Sequence, residues 1–243
     1  PHGPSAGGSN ITCSAADAVR SAAREVKHQI LSLAADLFEA AVEDIEIEAG
    51  TVRVVGVPDQ SITIAEIAST AQKADFSSTG RSGPIQASGR AAAAGESVVF
   101  VAHVARVIVD PETGHVRTTD YLSIQDVGFA MNPLLVEGQL HGGAVQSIGI
   151  GLYEAMQHDT NGQLLTGTLM DYALPKAQSV PPVTTQLLQS PSHGPFGARG
   201  VGEPPILCGA AAVANAIRDA IGTEATTLPL YPERVWRATR PTV

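Results

Sequence analysis

Residues 98–133 read VVFVAHVARVIVDPETGHVRTTDYLSIQDVGFAMNP, and this segment indicates the class of fold. Val98–Val109 is a long run rich in β-branched residues, which predicts a strand. The DPETG that follows, residues 110–114, is a strong turn signal, and Val116–Val127 then predicts a second strand. Asn132-Pro133 predicts the start of a helix that runs to about Met156. Paired strands followed by a helix indicate an α+β fold.

The sequence before this segment predicts a helix and a small hairpin. Residues 1–12 are rich in Gly, Ser and Asn, which predicts a loop. From about Ser14 apolar residues recur every three or four positions, which predicts a helix. Glu46–Gly56 alternates around a Gly turn and predicts a hairpin, and Ile64–Gln72 predicts a short helix. Residues 75–95, rich in Ser, Gly and Ala, predict irregular structure.

The sequence after this segment predicts a hairpin, a strand, a loop and a helix. Gln157–Thr168 predicts the hairpin, and Thr184–Leu188 predicts the strand. Residues 192–205 form a Gly/Pro loop, and Glu203–Ile221 predicts a helix of very small residues. Such a helix can pack closely against a sheet or another helix.

Composition favours a folded protein. A hydrophobic content of 44% and a charged content of 16% exclude a disordered chain. Aromatic residues make up only 4%, so the core is expected to consist of Ala, Val, Ile and Leu. No repeat or low-complexity linker divides the chain. We therefore predict one unit over residues 1–243, with a smaller lobe over residues 14–75.

Charge and cysteine content exclude several classes of protein. The 15 Lys and Arg residues against 24 Asp and Glu give a net charge of −9, which argues against binding to nucleic acid or an anionic membrane. Two cysteines, Cys13 and Cys208, rule out a disulfide scaffold and a four-cysteine metal site. No apolar run reaches the roughly 18 residues of a membrane span, and no signal peptide is visible. The expected location is the cytoplasm.

Three glycine-rich segments are candidate ligand-binding elements. The first, GGSNIT at residues 7–12, precedes the first helix. Backbone N–H groups at a helix N-terminus bind anions well, and Ser9 and Thr12 add hydroxyl groups. The alternative for this segment is a disordered terminus.

The second segment, VEGQLHGGAVQSIGIG at residues 136–151, has five glycines inside a predicted helix. Each costs about 1 kcal/mol relative to alanine, so close approach of a backbone or a ligand is expected to compensate. Gln139 and Gln146 can donate to and accept from a polar ligand. The alternative is Gly-mediated helix packing with exposed glutamines. His141 has no metal partner nearby in sequence, which favours a packed or exposed side chain.

The third segment, GPFGARGVGEPP at residues 194–205, places Glu203 directly after closely spaced glycines. A buried carboxylate beside a loop that holds a ligand is a natural general base. The alternative is a residue that starts a helix and is favoured by the helix dipole. The segment lacks the Gly-Lys-Ser/Thr of a P-loop, and no strand leads directly into it as in a dinucleotide fingerprint.

Taken in order, these motifs resemble the large subunit of the xanthine dehydrogenase, aldehyde oxidase and carbon monoxide dehydrogenase family. The motifs that carry the resemblance are Gly8-Ser9 followed by Asp17-Ala18-Val19, DVG at 126–128 through Asn132-Pro133, EGQ at 137–139 through Gly142-Gly143 and Gln146, DYALP at 171–175, and GVGEPP at 200–205 followed by an Ala-rich helix. The resemblance covers nearly the whole chain. It implies the second half of a molybdenum cofactor-binding domain, with mixed sheets packed with helices.

The resemblance also implies an activity and a cofactor. Such large subunits bind a molybdenum–molybdopterin cofactor, here expected in its cytosine dinucleotide form, and hydroxylate an aldehyde or N-heterocycle with oxygen derived from water. Glu203 matches the general base of the family. The residues that match cofactor-binding positions are Gly8, Ser9, Thr12, Gln139, Gln146, Gly200, Val201 and Gly202. The pterin dithiolene holds the metal in this family, so no protein metal ligand is expected.

The sequence departs from the family pattern in two ways. Ser147 stands where glycine is commoner, and Ala15 and Ala16 lie where a glycine is often found. The chain is also much shorter than complete large subunits, which implies half of a cofactor site, as a split subunit or a fragment, that is inactive alone. The expected partners are the rest of the large subunit, an iron–sulfur subunit, an FAD subunit and a small-molecule substrate.

Two other functions are candidates beside this one. A binding or assembly module that keeps the fold without the cofactor stays open as the alternative. A serine hydrolase is disfavoured, because no Gly-x-Ser-x-Gly nucleophile elbow is present.

Overall fold

The described part of the chain divides into two compact units. The structure is a computed structural model that describes residue 3 and residues 5–73, 83–92 and 97–240. One unit contains residues 14–73 and 83–92, and the other contains residues 3, 5–13 and 97–240. Residues 83–92 carry neither helix nor strand, as predicted. The rest of the predicted irregular segment 75–95 lies outside the described residues.

The first unit packs helices against a small antiparallel sheet. Its elements are helix α1 (Ile11–Phe38, from residue 14 onward), strands β1 (Ile45–Glu48), β2 (Thr51–Val54) and β3 (Val57–Thr63), and helix α2 (Ile64–Ala71). The predicted hairpin is β1–β2, but the pairing of β3 with β2 was not predicted. The Thr63 side chain accepts from the Glu66 N–H, and the Glu66 carboxylate accepts from the Thr63 N–H, so a capping box starts α2. Leu33, Val52 and Ile67 are buried in the core.

The second unit contains a mixed three-stranded sheet. Its strands β4 (Val101–Val109), β5 (Val116–Asp126) and β6 (Val183–Leu188) lie in the order β4-β5-β6. The turn after Val109 makes β4 and β5 antiparallel. β6 pairs with β5 in parallel, because helix α3 (Pro133–Leu152) lies in the connection that brings the chain back. The predicted α+β class with a mixed sheet is confirmed.

In the described part of this unit four α-helices follow the first two strands: α3, α4 (Pro204–Leu207), α5 (Gly209–Ile221) and α6 (Pro232–Ala238). Ala144 and Ile148 of α3 are fully buried in one core with Val213 and Ile217 of α5. These small and branched residues form the aliphatic core that the composition predicted. No helix of the described residues is long and apolar enough to cross a membrane.

Several predicted boundaries differ from the structure. The predicted helix 203–221 is divided at Cys208 into α4 and α5, and α3 ends at Leu152 rather than near Met156. The predicted hairpin 157–168 is reduced to one bridge between His158 and Leu164. Helix α6 was not predicted. Strong turn and cap signals predicted where helices and strands begin and end. In the Gly/Pro-rich stretches the predicted ends of these elements were less accurate.

Candidate functional site

The three glycine-rich segments meet at one cleft, which lies within the second unit. The cleft has a volume of about 450 Å³. Its walls come from residues 6–12, from residues 129–139 and from residues 198–203. Of the predicted site residues, the cleft is lined by Ser9, Thr12, Gln139, Gly200, Val201, Gly202 and Glu203. Gly8 and Gln146 are not among its lining residues.

Ser9 joins the first segment to the third. Its hydroxyl oxygen accepts a hydrogen bond from the backbone N–H of Glu203 at 2.8 Å. The same hydroxyl donates to Oε2 of Glu203 at 3.5 Å, the long end of the hydrogen-bond range. A Cβ added to Gly200 would lie only 2.8 Å from the Cβ of Ser9. Glycine at position 200 therefore lets these two segments touch.

Residues at the end of strand β5 hold the third segment in place. The amide Nε2 of the fully buried Gln125 donates to the carbonyl of Gly200 at 2.9 Å. Nε of Arg199 lies 3.3 Å from Oδ2 of Asp126, an ion pair without hydrogen-bond alignment, with both side chains nearly buried. Gly128 forms an isolated antiparallel bridge with Ala198. These contacts fix the loop that carries Glu203.

The Asp126 carboxyl is ionised more easily than an ordinary aspartate. Burial acts to raise its pKa, but hydrogen bonds from the Ser190 hydroxyl and from the backbone N–H groups of Gly128 and Ser190, with the charge of Arg199, outweigh burial. The net result is a lowered pKa. The ion pair with Arg199 is therefore present at neutral pH.

Helix α3 supplies the remaining wall of the cleft. Oδ1 of Asn132 accepts from the N–H of Leu135 at 3.2 Å, and Pro133 occupies the first turn, so the predicted start of this helix is confirmed. Gln139 lines the cleft, with Oε1 3.4 Å from where a Cβ on Gly202 would lie. Gln146 is exposed, about 10 Å further along the helix axis.

Glu203 is exposed at the edge of the cleft, which corrects the expectation of a buried carboxylate. It directly precedes α4, and its side chain makes no capping bond to that helix. The backbone position fits the helix-start alternative, whereas the carboxylate lines the cleft.

Sequence reasoning missed a buried polar cluster behind α4. Nδ1 of His103 and the hydroxyl of Tyr121 are 2.7 Å apart, and the Ser147 hydroxyl donates to the carbonyl of Ile206 at 3.5 Å. Burial raises the pKa of Tyr121 to about 12 and lowers the pKa of His103. A Cβ on Gly209 would lie 2.2–2.3 Å from the Ser147 and Tyr121 oxygens. Polar residues at inward positions of β4 and β5 were the available signal.

The donor and acceptor groups of the cleft suit an organic cofactor with polar edges. Thr12 offers a hydroxyl, Gln139 offers an amide, and Gly202 is exposed in the cleft without a side chain of its own. A side chain on Gly202 would enter the cleft beside Gln139. Within the part of the chain that the structure describes, no group of three His, Cys, Asp or Glu residues could hold a metal ion. The hydroxyl of Thr12 and the amide of Gln139 fit the polar edges of a pterin-type cofactor.

The fold is that of a cofactor-binding domain, and comparison with known proteins gives its family. The family model described as the molybdopterin cofactor-binding domain matches residues 1–181. The chain belongs to that family, and the family predicted from the motifs is confirmed.

Relatives agree with this assignment. The large subunit of nicotine 6-hydroxylase of Paenarthrobacter nicotinovorans is 32% identical over 96% of this chain and 29% of its own length. The solved structure of quinoline 2-oxidoreductase from Pseudomonas putida 86 is 36% identical over 90% of this chain and 29% of that chain, with a TM-score of 0.75. Reconstituted CO dehydrogenase from Oligotropha carboxidovorans gives a TM-score of 0.81 at 28% identity, over 98% of this chain and 30% of that chain. This chain therefore spans about three tenths of their length.

Proposed function

We propose that this chain is the C-terminal part of the molybdopterin-binding region in the large subunit of a molybdenum hydroxylase. The proposed reaction is the oxidative hydroxylation of an aldehyde or N-heterocycle with oxygen derived from water, and Glu203 is the proposed general base. One observation carries the proposal. Ser9, Gln139 and Glu203 come from three separate glycine-rich segments, yet all three side chains line one cleft.

The named relatives support the substrate class. Nicotine and quinoline, in the names of two similar proteins, are both N-heterocycles. Because this chain spans 29% of the nicotine 6-hydroxylase large subunit, we propose that the rest of a large subunit completes the site. We further propose the cytosine dinucleotide form of the cofactor, with iron–sulfur clusters and FAD on partner subunits.

When bound, the molybdenum cofactor supplies the two-electron redox chemistry of this reaction. The chain's own residues bind and orient it. Thr12, Gln139, Val201 and Gly202 offer hydrogen bonds along the cleft, and Gly8, Gln146 and Gly200 are further proposed contacts. The Glu203 carboxylate takes up the proton that the water-derived oxygen loses as that oxygen becomes bound to the substrate carbon. Its exposure in the cleft leaves it accessible to the reacting groups.

Glu203→Gln in the assembled enzyme tests this role. The amide keeps the shape of the side chain but is not a base, so turnover should fall at least about a hundredfold, the lower range for loss of a general base. Molybdenum and pterin content should remain near normal. Turnover is measured with aldehydes and N-heterocycles, and metal content by elemental analysis.

The matched control is Glu112→Gln, an exposed residue in the turn between β4 and β5 and outside the cleft. It should keep both turnover and cofactor. Near-normal turnover of Glu203→Gln at full molybdenum occupancy would exclude Glu203 as the base. Absence of molybdenum and pterin from the purified complex would favour the cofactor-free module.

A further inference from the structure

We propose that Ser9 is a positioning residue that orients the Glu203 carboxylate. This inference rests on the proposed function of Glu203. The Ser9 hydroxyl contacts both the backbone and the carboxylate of Glu203. It accepts from the Glu203 N–H at 2.8 Å and donates to Oε2 at 3.5 Å. The two residues are 194 positions apart in the sequence, so the contact is a product of the fold and not of local geometry.

A serine hydroxyl can accept and donate hydrogen bonds at the same time, which allows both contacts with Glu203. A hydroxyl has one proton to donate and two lone pairs that accept. In this structure one lone pair accepts the Glu203 N–H at 2.8 Å, and Oε2 of Glu203 is the acceptor within reach of the hydroxyl, at 3.5 Å. Ser9 thus ties the carboxylate of Glu203 to its own backbone, which restricts the side-chain rotamers.

The backbone around Ser9 is shaped for this contact. Ser9 has a φ of +54°, in the left-handed region that residues with a Cβ seldom adopt. An uncommon conformation of this kind persists where the surrounding structure enforces it, and such sites are often functional. Here a Cβ at position 200 would lie 2.8 Å from the Ser9 Cβ, so Gly200 leaves the space in which the Ser9 hydroxyl reaches Glu203.

A structural experiment decides the proposal without any substrate. Crystal structures of the full chain are compared for the wild type, Ser9→Ala and Ser9→Gly. We expect a single Glu203 side-chain position in the wild type, and two or more positions in both variants with the backbone of residues 198–203 unchanged. Because glycine accepts a positive φ readily, Ser9→Gly separates the hydroxyl from the backbone conformation. A single, wild-type position of Glu203 in both variants would overturn the proposal.

A double-mutant cycle in the holoenzyme, assayed with quinoline, gives a second readout. Ser9→Ala should lower kcat about tenfold, in the range for a hydrogen bond to a charged group, with KM and molybdenum content unchanged. In the Glu203→Gln background the same change should alter kcat less than twofold, since a residue that acts through Glu203 has nothing left to orient.

The outcomes separate this inference from the proposed function. A tenfold effect that persists in the Glu203→Gln background, or loss of molybdenum in proportion to activity, would assign Ser9 to the cofactor instead and overturn the positioning role. Full turnover of Glu203→Gln alone would overturn the proposed function itself.

Discussion

The two glycine-rich segments that border the cleft, helix α3 and the loop 194–203, use their glycines differently. In the loop, a Cβ on Gly200 would lie 2.8 Å from the Ser9 Cβ, so the glycine admits another part of the chain. In the helix, a Cβ on Gly143 would lie 2.4 Å from the Pro205 Cβ, whereas one on Gly142 would meet nothing within 4 Å. An added side chain would therefore lower the stability of the fold at Gly143 but not at the adjacent Gly142.

The two segments are also held by different forces. Buried polar contacts hold the loop, since Asp126 pairs with Arg199 and Gln125 bonds to Gly200. Close packing of small residues holds the helix against α4 and α5. The loop should therefore respond to charge and pH, and the helix should respond to side-chain volume.

Loss of the buried carboxylate should have the largest effect. Asp126→Asn leaves Arg199 without its counter-charge, and breaking a buried ion pair typically costs about 3–5 kcal/mol in the free energy of unfolding. Urea unfolding at pH 7 measures it. The fluorescence of Trp236, the single tryptophan, reports on the second unit because it lies in α6.

The pH dependence has a definite sign. The folded pKa of Asp126 lies below its ordinary value, so its contribution is present above the unfolded pKa of about 3.9 and is lost as pH falls through the folded pKa. The difference between wild type and Asp126→Asn should therefore shrink below about pH 4. Asp120→Asn is the control, because its ion pair with Arg106 is exposed and should change stability by about 1 kcal/mol or less. Equal effects of the two variants would contradict the comparison.

Overpacking of the helix should have an intermediate effect. In Gly143→Ala the new methyl group would meet the Pro205 Cβ at 2.4 Å and its backbone carbon at 2.8 Å. The contact is too close without a shift of α4, so we expect a loss of about 1–3 kcal/mol in the free energy of unfolding. The measurement is again urea unfolding followed by Trp236 fluorescence. Unchanged stability would show that α4 moves freely away from α3.

Local sequence patterns predicted the helices and strands better than they predicted the contacts between them. Signals that act through local geometry could be predicted from the sequence. They are the β-branched run Val98–Val109, its DPETG turn and the Asn132-Pro133 cap. The parallel pairing of β6 with β5 depends on where the chain returns after α3, and no local pattern encodes that return. The segments that form the cleft could be predicted from their glycines, and the family from the order of its motifs.

The roles of single residues in the cleft were harder to predict. Gln125 and Asp126 are both buried at the end of β5, but only the structure shows that they hold the loop at Arg199 and Gly200. Gln139 and Gln146 share one helix face, yet the cleft ends before Gln146. The sequence spacing defines the face of a helix, whereas the length of a cleft depends on other segments.

The smallest effect, with the opposite sign, is expected for Gly142→Ala. The added methyl group meets open space, and alanine is favoured over glycine in a helix by about 1 kcal/mol, so the free energy of unfolding should rise by up to that amount. Urea unfolding of Gly142→Ala and Gly143→Ala compares the free energies of unfolding of variants at two adjacent positions. In the assembled enzyme, unchanged molybdenum content would mean that this open face is not filled by cofactor. A gain in stability together with loss of molybdenum would instead show that the bare surface of α3 at Gly142 is part of the cofactor site. Destabilisation of both variants by the same amount would remove the distinction between the two glycines.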